Sequence, residues 1–121
     1  MSVVLFLSSD LMFSSRVLGA AKQLGVDLQL VTKPSDLPSR LTSDCRLLLI
    51  DLAQPQLEVS AAITALRQIA PAAQSVAFGS HVDTASLAAA KEAGCDVVLS
   101  RSQFQNQYAG LLRDFAAQGS S

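Results

Sequence analysis

Five short apolar runs alternate with five helix-like segments along the chain, and this alternation constrains the fold more than any other feature. The runs cover residues 3–7, 26–31, 46–50, 75–78 and 96–99. Apolar residues are largely continuous within the runs, which is typical of strands covered on both faces in a parallel sheet. Strands that alternate with helices over short connections form right-handed βαβ units. The sequence therefore predicts an α/β domain with a doubly wound, five-stranded parallel sheet.

The helical segments between the runs carry recognisable start and stop signals. Three residues are expected to end helices: Gly25, Pro71 and Gly94. Pro34 and Pro38 restrict the second helix to residues 35–41 at most. Thr84 is the predicted N-cap of the fourth helix, and Ser102 with Gln105 forms a predicted capping box at the start of the fifth. For five such units, the expected strand order is the flavodoxin-like 2-1-3-4-5, with helices on both faces.

The chain is long enough for one domain and too short for two independent cores. Half of its 121 residues are hydrophobic, so a core can be buried without a disulfide framework. We expect residues 1–118 to form this domain, and residues 119–121 to be a polar tail or the start of a linker. Cys45 and Cys95 are expected to be reduced thiols, because another strand separates the two strands that they precede.

Charge and hydropathy exclude several classes of function. The net charge is −1 and no basic run interleaves with aromatic residues, so no nucleic-acid partner is expected. No apolar run is long enough to span a bilayer, and no membrane association is expected. The amino terminus lacks the positively charged segment of a signal peptide. These features predict a cytoplasmic protein.

Residues that follow the predicted strands define the expected site, because ligands of doubly wound sheets bind at the carboxyl ends of the strands. These residues are Ser8, Ser9, Asp10, Asp51, Ala53, Gly79, Ser80, His81, Ser100 and Arg101. Simpler structural roles are open to two of them: Asp51 as a cap of the loop after its strand, and Asp10 as the N-cap of the first helix. Ser80, His81 and Asp83 are the residue types of a catalytic triad, but such close neighbours in sequence do not converge as triad residues do.

Two motifs resemble the receiver domain of bacterial response regulators, the CheY-like modules of two-component phosphorelay signalling. Residues 48–55, Leu-Leu-Ile-Asp-Leu-Ala-Gln-Pro, are similar to a receiver's third strand, whose closing aspartate accepts phosphate and is followed four residues later by proline. Residues 89–99 resemble its fourth helix and fifth strand, and the distance from Ser8 to Gly25 matches its first helix. The resemblance implies a receiver fold over nearly the whole chain, with Asp51 at the phospho-acceptor position.

Most other positions that receivers use carry different residues. The resemblance places the receiver's acidic pair on Ser8 and Ser9, with Asp10 offset by one residue. The hydroxyl residue expected after the fourth strand falls on Gly79, with Ser80 beside it. Three further positions differ where receivers have an aromatic residue, a lysine and a proline: Val98, Arg101 and Ser102. The acceptor aspartate is the one member of the family's phosphorylation set that is retained by identity.

These departures remove charges that phosphoryl transfer needs. Mg²⁺ requires several hard oxygen ligands, and Asp51 with two serine hydroxyls supplies one negative charge where the family supplies about three. Arg101 keeps a positive charge, but its planar guanidinium is not equivalent to a lysine ammonium. It is able instead to pair bidentately with Asp51, in place of a metal. We therefore expect no catalytic residue, no metal site and no cofactor, with Mg²⁺ needed only if Asp51 is an active acceptor.

The leading hypothesis is a pseudo-receiver, a non-enzymatic signalling module that acts through protein–protein interaction without efficient aspartyl phosphorylation. Its partner is expected to be another protein or a second copy of the chain, bound through the fourth and fifth helices, where residues 87–90 are apolar. Two alternatives stay open. One is an active receiver that accepts phosphate on Asp51. The other is a small anion- or nucleotide-binding domain that uses the serine-rich turn at residues 8–15.

Overall fold

The computed structural model describes residues 2–118, and these residues contain one five-stranded parallel sheet. Its strands are β1 Val3–Leu7, β2 Leu28–Val31, β3 Cys45–Asp51, β4 Gln74–Gly79 and β5 Val97–Ser100. The strand order is β2-β1-β3-β4-β5, and each neighbouring pair is parallel. The predicted fold class and strand order are confirmed. The predicted tail at residues 119–121 lies outside the described residues.

Helices cover both faces of this sheet. The helices of the described residues are α1 Leu11–Gln23, α2 Leu37–Arg40, α3 Val59–Ile69, α4 Thr84–Glu92 and α5 Arg101–Gln118. Phe13 of α1 and Phe104 of α5 pack with Phe6 of β1 on one face, while α2, α3 and α4 pack with Leu5 and Leu7 on the other. Because successive residues of β1 are buried on opposite faces, every position of this strand is apolar. None of the helices between residues 2 and 118 is long and apolar enough to cross a membrane.

The second helical segment is shorter than the sequence predicts. A 3-10 turn covers Pro34–Asp36 and α2 covers Leu37–Arg40, in place of the single helix expected over residues 35–41. Each proline lies in the first turn of its piece, where the missing N–H group has no intrahelical partner to lose. Leu37 is the buried residue of these two pieces. The segment therefore consists of two short helical turns, and Leu37 packs it against the core.

The N-cap of α4 also differs from the prediction. Asp83, and not Thr84, caps this helix, because its Oδ1 accepts the backbone N–H of Ser86 at 3.1 Å. Its Oδ2 accepts the Ser86 hydroxyl at 2.7 Å. These hydrogen bonds lower the pKa of the Asp83 carboxyl. Its carboxylate is thus engaged in helix capping, which is not the role that a catalytic triad would require.

The capping box of α5 lies two residues earlier than predicted. The Ser100 hydroxyl accepts the backbone N–H of Gln103 at 3.2 Å, and Gln103 Oε1 accepts the N–H of Ser100 at 2.9 Å. The predicted pair, Ser102 and Gln105, is wrong because α5 begins at Arg101, directly after β5. Ser100 and Ser102 each precede a glutamine by three residues. Because β5 ends at Ser100, this serine is the one that caps the helix.

Candidate functional site

Asp51 lies at the carboxyl end of the central strand, between β1 and β4, and its side chain is 2% exposed. Its Oδ2 accepts the Ser8 hydroxyl at 2.9 Å. Its Oδ1 accepts both the backbone N–H of Ala53 at 3.0 Å and Nη2 of Arg101 at 2.9 Å. Both carboxylate oxygens are therefore engaged by groups of the chain itself.

Ser8 connects the first strand to this carboxylate. It follows β1 directly and is fully buried. Its hydroxyl donates to Asp51 and accepts the backbone N–H of Asp10 at 3.1 Å. At the position where the resemblance expects an acidic residue, the chain thus has a neutral hydroxyl that donates a hydrogen bond to the carboxylate.

Asp10 is the N-cap of α1, as the simpler interpretation of this residue predicts. Its Oδ1 accepts the backbone N–H of Phe13 at 3.1 Å. Its Oδ2 lies 3.8 Å from Nη1 of Arg101. A carboxylate of the chain therefore already lies at the helix N-terminus, where an anionic ligand of the turn at residues 8–15 would have to bind. This arrangement counts against the anion-binding alternative.

Arg101 joins the two acidic residues. It is the first residue of α5, so its side chain starts at the carboxyl edge of the sheet. Nη2 contacts Asp51 at 2.9 Å, while Nη1 lies 3.8 Å from Asp10. The predicted pairing of Arg101 with Asp51 is confirmed. The predicted bidentate geometry is wrong, because the two terminal nitrogens of the guanidinium contact different carboxylates.

Two aromatic rings of the core pack against the guanidinium of Arg101. Its central carbon lies 5.4 Å from the ring centroid of Phe78 and 6.0 Å from that of Phe13. Both distances are within the range of cation–π attraction. The Phe78 ring in turn stacks on Phe104, with centroids 3.9 Å apart and ring planes 3° from parallel. The cation is therefore held by two carboxylates and by rings of the buried core.

The resemblance to receivers implies a divalent metal beside Asp51, but the residues present do not fit one. Mg²⁺ takes an octahedral set of oxygen ligands, mostly carboxylates and water. Here Asp10 caps a helix, Ser8 is neutral, and the guanidinium of Arg101 already neutralises Asp51. Among residues 2–118, no group of three or more histidine, cysteine, aspartate or glutamate side chains is placed to hold a metal ion.

The remaining predicted site residues do not hydrogen-bond to Asp51. Ser9 and Ser80 are exposed, and the Ser80 hydroxyl accepts the backbone N–H of Val82 at 3.4 Å. Gly79 is buried at the end of β4, and a Cβ added to it would lie 3.3 Å from Cβ of Leu52. Leu52 thus occupies the space beside Gly79 into which a larger residue would extend. The strand ends bring together Ser8, Asp10, Asp51 and Arg101, and leave Ser9, Gly79 and Ser80 out of this network.

Gln54 is a buried residue of the site that the sequence does not reveal. Its Nε2 donates to the carbonyl oxygens of Leu7 at 2.9 Å and of Asp51 at 2.7 Å. It therefore joins the carboxyl ends of β1 and β3 directly beneath the carboxylate network. A glutamine in a loop gives no sequence signal of burial, because this residue type is mostly exposed.

A third ion pair of the described residues lies at the opposite, amino edge of the sheet. Arg67 Nη2 contacts Asp96 Oδ2 at 2.8 Å, and the same oxygen accepts the backbone N–H and the hydroxyl of Ser75 at 2.8 and 3.0 Å. Burial raises the pKa of the Asp96 carboxyl, but the hydrogen bonds from Arg67 and Ser75 outweigh it, and the net shift is downward. Ser75 and Asp96 lie at the amino ends of β4 and β5, so their hydrogen bonds join these two strands at the end of the sheet that is remote from Asp51.

Both cysteines are free thiols, as predicted. Cys45 is buried, and burial raises its pKa. Burial and the neighbouring carboxylate of Asp96 raise the pKa of Cys95. A raised pKa keeps a thiol protonated at neutral pH and therefore unreactive.

Comparison with known proteins shows similarity of fold. No protein-family profile matches the chain, and no curated protein sequence matches it significantly. Solved structures of response regulator receiver domains match it over nearly its full length at low sequence identity. The chain therefore has the receiver fold, and its identity to these structures is too low to carry more than the fold.

Three of these structures illustrate the similarity. A response regulator from Burkholderia pseudomallei, solved with a phosphorylated aspartic acid, calcium ion and citrate, is 13% identical with a TM-score of 0.76, over 99% of this chain and 71% of that one. A CheY-like receiver domain protein from Methanospirillum hungatei is 11% identical with a TM-score of 0.74, over 98% of both chains. A two-component response regulator from Clostridium difficile is 13% identical with a TM-score of 0.73, over 93% and 97%.

Proposed function

We propose that this chain is a pseudo-receiver, a signalling module that acts through protein–protein contacts and is not efficiently phosphorylated on Asp51. The receiver fold supports the signalling role. The network around the acceptor position supports the loss of phosphorylation. In this proposal the module is not an enzyme, and it uses no cofactor.

The engagement of both Asp51 oxygens carries the proposal. A carboxylate that accepts phosphate attacks the phosphorus atom through an oxygen lone pair, and it needs nearby cations to neutralise the incoming charge. Oδ2 of Asp51 is bound by the buried Ser8 hydroxyl. Oδ1 is bound by the N–H of Ala53 and by Arg101. Oδ1 already accepts two hydrogen bonds, so attack through it would displace one of the donors. Attack through Oδ2 would have to take place beside the Ser8 hydroxyl, at a side chain that is 2% exposed.

The charge balance of the network supports the same conclusion. One guanidinium lies within 4 Å of two carboxylates, Asp51 and Asp10. The network therefore has a net charge of about −1 before any metal or phosphate arrives, whereas the acidic pair, acceptor aspartate and lysine of a receiver together give about −2. Such a site has less attraction for a divalent cation, and phosphoryl transfer to a carboxylate depends on that neutralisation.

Exposed apolar side chains support a role in protein contact. Three large hydrophobic side chains are mostly exposed: Leu11 at 65%, Met12 at 83% and Val82 at 74%. Leu11 and Met12 begin α1, and Val82 lies in the loop after β4, so all three lie at the same carboxyl edge of the sheet as Arg101. On α4, Ala88 and Ala89 are exposed as well. Contiguous exposed apolar groups are typical of a surface that binds another protein, and in this proposal these side chains form part of one.

Phosphorylation by a small donor tests the proposal. The full chain is incubated with acetyl phosphate and Mg²⁺, and its intact mass is measured beside those of Asp51→Asn and Asp36→Asn. Asp36 is an exposed aspartate outside the site, so its variant controls for nonspecific modification. We expect no phosphoryl adduct above the level of Asp51→Asn. A stoichiometric adduct in the wild type and Asp36→Asn that disappears in Asp51→Asn would establish the active-receiver alternative.

A further inference from the structure

A cavity of about 570 Å³ opens at the carboxyl edge of the sheet. The 3-10 turn and α2 form one wall, α3 with the loop before it forms the opposite wall, and the end of β1 lies between them. Because α1 covers one face of the sheet and α3 the other, the cavity lies next to the point where the chain changes faces. Ligands of doubly wound sheets bind at this point, and the volume lies within the range of roughly 300–1,000 Å³ that is typical of small-molecule sites.

The inner part of the cavity is apolar. Leu7 and Leu37 are buried there, and α3 lines it with Ala61, Ala62 and Ala65. The 3-10 turn has three residues and α2 has four, whereas α3 has eleven, so the short pieces leave part of α3 uncovered. Alanine side chains do not fill the space that results. This part of the cavity is therefore suited to an apolar group.

The outer part of the cavity is polar and carries two opposite charges. Lys33 lies on the wall of the 3-10 turn, beside the hydroxyl residues Thr32 and Ser35, and Glu58 lies on the opposite wall. Both charged side chains are exposed, and neither forms an ion pair with any of residues 2–118. The strands before these two walls, β2 and β3, lie on either side of β1, roughly 9–10 Å apart. A cation and an anion therefore line the same cavity from opposite walls without neutralising each other.

Glu58 does not stabilise the helix that it precedes. It is the N-cap residue of α3, but its side chain forms no capping hydrogen bond. By contrast, Asp10 and Asp83 cap α1 and α4 by accepting a backbone N–H of the first turn. Glutamate is not among the residue types preferred at an N-cap. The carboxylate of Glu58 is thus available to a ligand.

The loop that leads to Glu58 holds one residue in an unusual backbone conformation. Gln56, which also lines the cavity, has a φ of 63° and is the one residue other than glycine with a positive φ among residues 2–118. L-residues adopt this left-handed conformation at a cost, and such residues cluster at active sites and ligand clamps. The conformation of Gln56 therefore supports a binding role for this loop.

We propose that this cavity binds an apolar α-amino acid in its zwitterionic form. The side chain of the ligand lies in the inner, apolar part, its carboxylate contacts Lys33 and its ammonium contacts Glu58. A ligand with a single charge would leave one of these residues unpaired and would be repelled by it, so the two residues together select a zwitterion. This site goes beyond the signalling role and does not depend on whether Asp51 accepts phosphate.

Three compounds that share a phenyl ring and differ in charge test the proposal. Phenylalanine carries both charged groups, 3-phenylpropanoate lacks the ammonium, and phenethylamine lacks the carboxylate. Each is titrated into the ¹⁵N-labelled full chain at low ionic strength while backbone amide shifts are recorded. We expect saturable shifts at Leu57, Ala61 and Ala65, with a Kd for phenylalanine about threefold below that of either other compound, as is usual for exposed ion pairs. Equal Kd values for phenylalanine and either other compound, or no saturable shift, would overturn the proposal.

Substitution of the two charged residues assigns each charged group of the ligand to its partner. Lys33→Gln should weaken the binding of phenylalanine and 3-phenylpropanoate about threefold, and should not weaken that of phenethylamine, which has no carboxylate. Glu58→Gln should weaken the binding of phenylalanine and phenethylamine, and not that of 3-phenylpropanoate. Both positions are exposed, so the fold is expected to tolerate these changes.

Lys22→Gln and Glu92→Gln are the matched controls. They remove the same charges at exposed positions outside the cavity lining and should leave the three Kd values unchanged. A Lys33→Gln or Glu58→Gln variant that weakens the binding of all three compounds alike, or of none, would contradict the assignment.

Discussion

Nη2 of Arg101 lies 2.9 Å from Oδ1 of Asp51, although fifty positions separate the two residues in the chain. The contact arises because β3 and β5 end at the same edge of the sheet and α5 begins immediately after β5. It places a fixed cation against the buried carboxylate of Asp51. The same guanidinium lies 3.8 Å from Asp10 at the start of α1. One side chain of α5 thus contacts both acidic residues of the site.

Removal of this cation should destabilise the fold. In Arg101→Ala, Asp51, whose side chain is 2% exposed in the wild type, keeps only the Ser8 hydroxyl and the Ala53 N–H as partners. We expect the free energy of unfolding to fall by about 1–3 kcal/mol, because a charged group loses its counter-ion in a buried position. Arg101 is itself partly exposed, which keeps the loss below that of a fully buried pair. Urea denaturation monitored by circular dichroism measures the change.

Arg113→Ala is the matched control, since Arg113 is an exposed arginine on the same helix. Its cost should stay within about 0.5 kcal/mol, as is usual for surface substitutions. Equal destabilisation by the two variants would show that the contact with Asp51 contributes nothing.

Restoring a hydroxyl at the end of β4 should be unfavourable in this chain. In Gly79→Ser the new Cβ lies 3.3 Å from Cβ and 3.4 Å from Cδ1 of Leu52, so the leucine has to move by a few tenths of an ångström. We expect a loss of about 1 kcal/mol in the free energy of unfolding, at the low end of overpacking costs. The same substitution in a Leu52→Gly background should cost less, because Cβ and Cδ1 of the leucine are then both absent. An undiminished cost in that background would place the strain elsewhere.

The ion pair at the amino edge of the sheet predicts a pH dependence. The pKa of Asp96 is lowered by Arg67 and Ser75 in the folded chain. A carboxyl with a depressed folded pKa stabilises the fold above its unfolded pKa of 3.8, and this contribution disappears as the pH falls through the folded value. The difference in unfolding free energy between wild type and Asp96→Asn should therefore be largest near neutral pH and shrink below pH 3.8.

Chemical denaturation at several pH values measures this difference. Asp36→Asn serves as the control, because Asp36 is exposed and its side chain has no ion pair among the described residues. Its difference from the wild type should change little over the same range. A difference for Asp96→Asn that grows on acidification would contradict the assigned direction of the pKa shift.

The fold was predictable from the sequence because its signals are redundant. Continuous apolar runs such as that of β1 identify parallel strands, and Gly25 and Gly94 end helices with φ of 70° and 95°, a conformation that favours glycine. Asp10 was recognisable as an N-cap for a similar reason, since its role depends on neighbours within one turn. Local chemistry of this kind is visible without the tertiary structure.

The parts that the sequence did not reveal depend on contacts between distant residues. Gln54 is buried because its amide hydrogen-bonds to the ends of two strands. Asp96 forms a cluster at the amino edge of the sheet because Ser75 and Arg67 both donate to one of its oxygens. The pairing of Arg101 with Asp51 was predictable from the strand order, but the sharing of the guanidinium with Asp10 was not. The direction of a long side chain at a strand end depends on packing, here on Phe78.

The last prediction concerns the partner surface on α4. Ala88 and Ala89 are exposed, while Ala90 on the same helix is fully buried, so the exposed side carries methyl groups that the core does not use. If a second copy of the chain binds here, wild-type protein should show a concentration-dependent dimer in sedimentation velocity experiments. The substitution Ala89→Glu would bury a charge in that contact and should shift the equilibrium to monomer.

Gln23→Glu is the control for this prediction. It lies at the exposed end of α1 on the opposite face, adds a negative charge outside the α4 surface and should leave the dimer intact. Circular dichroism should show unchanged helix content in both variants. A wild-type chain that stays monomeric at high concentration would exclude the homodimer and leave a different protein as the partner.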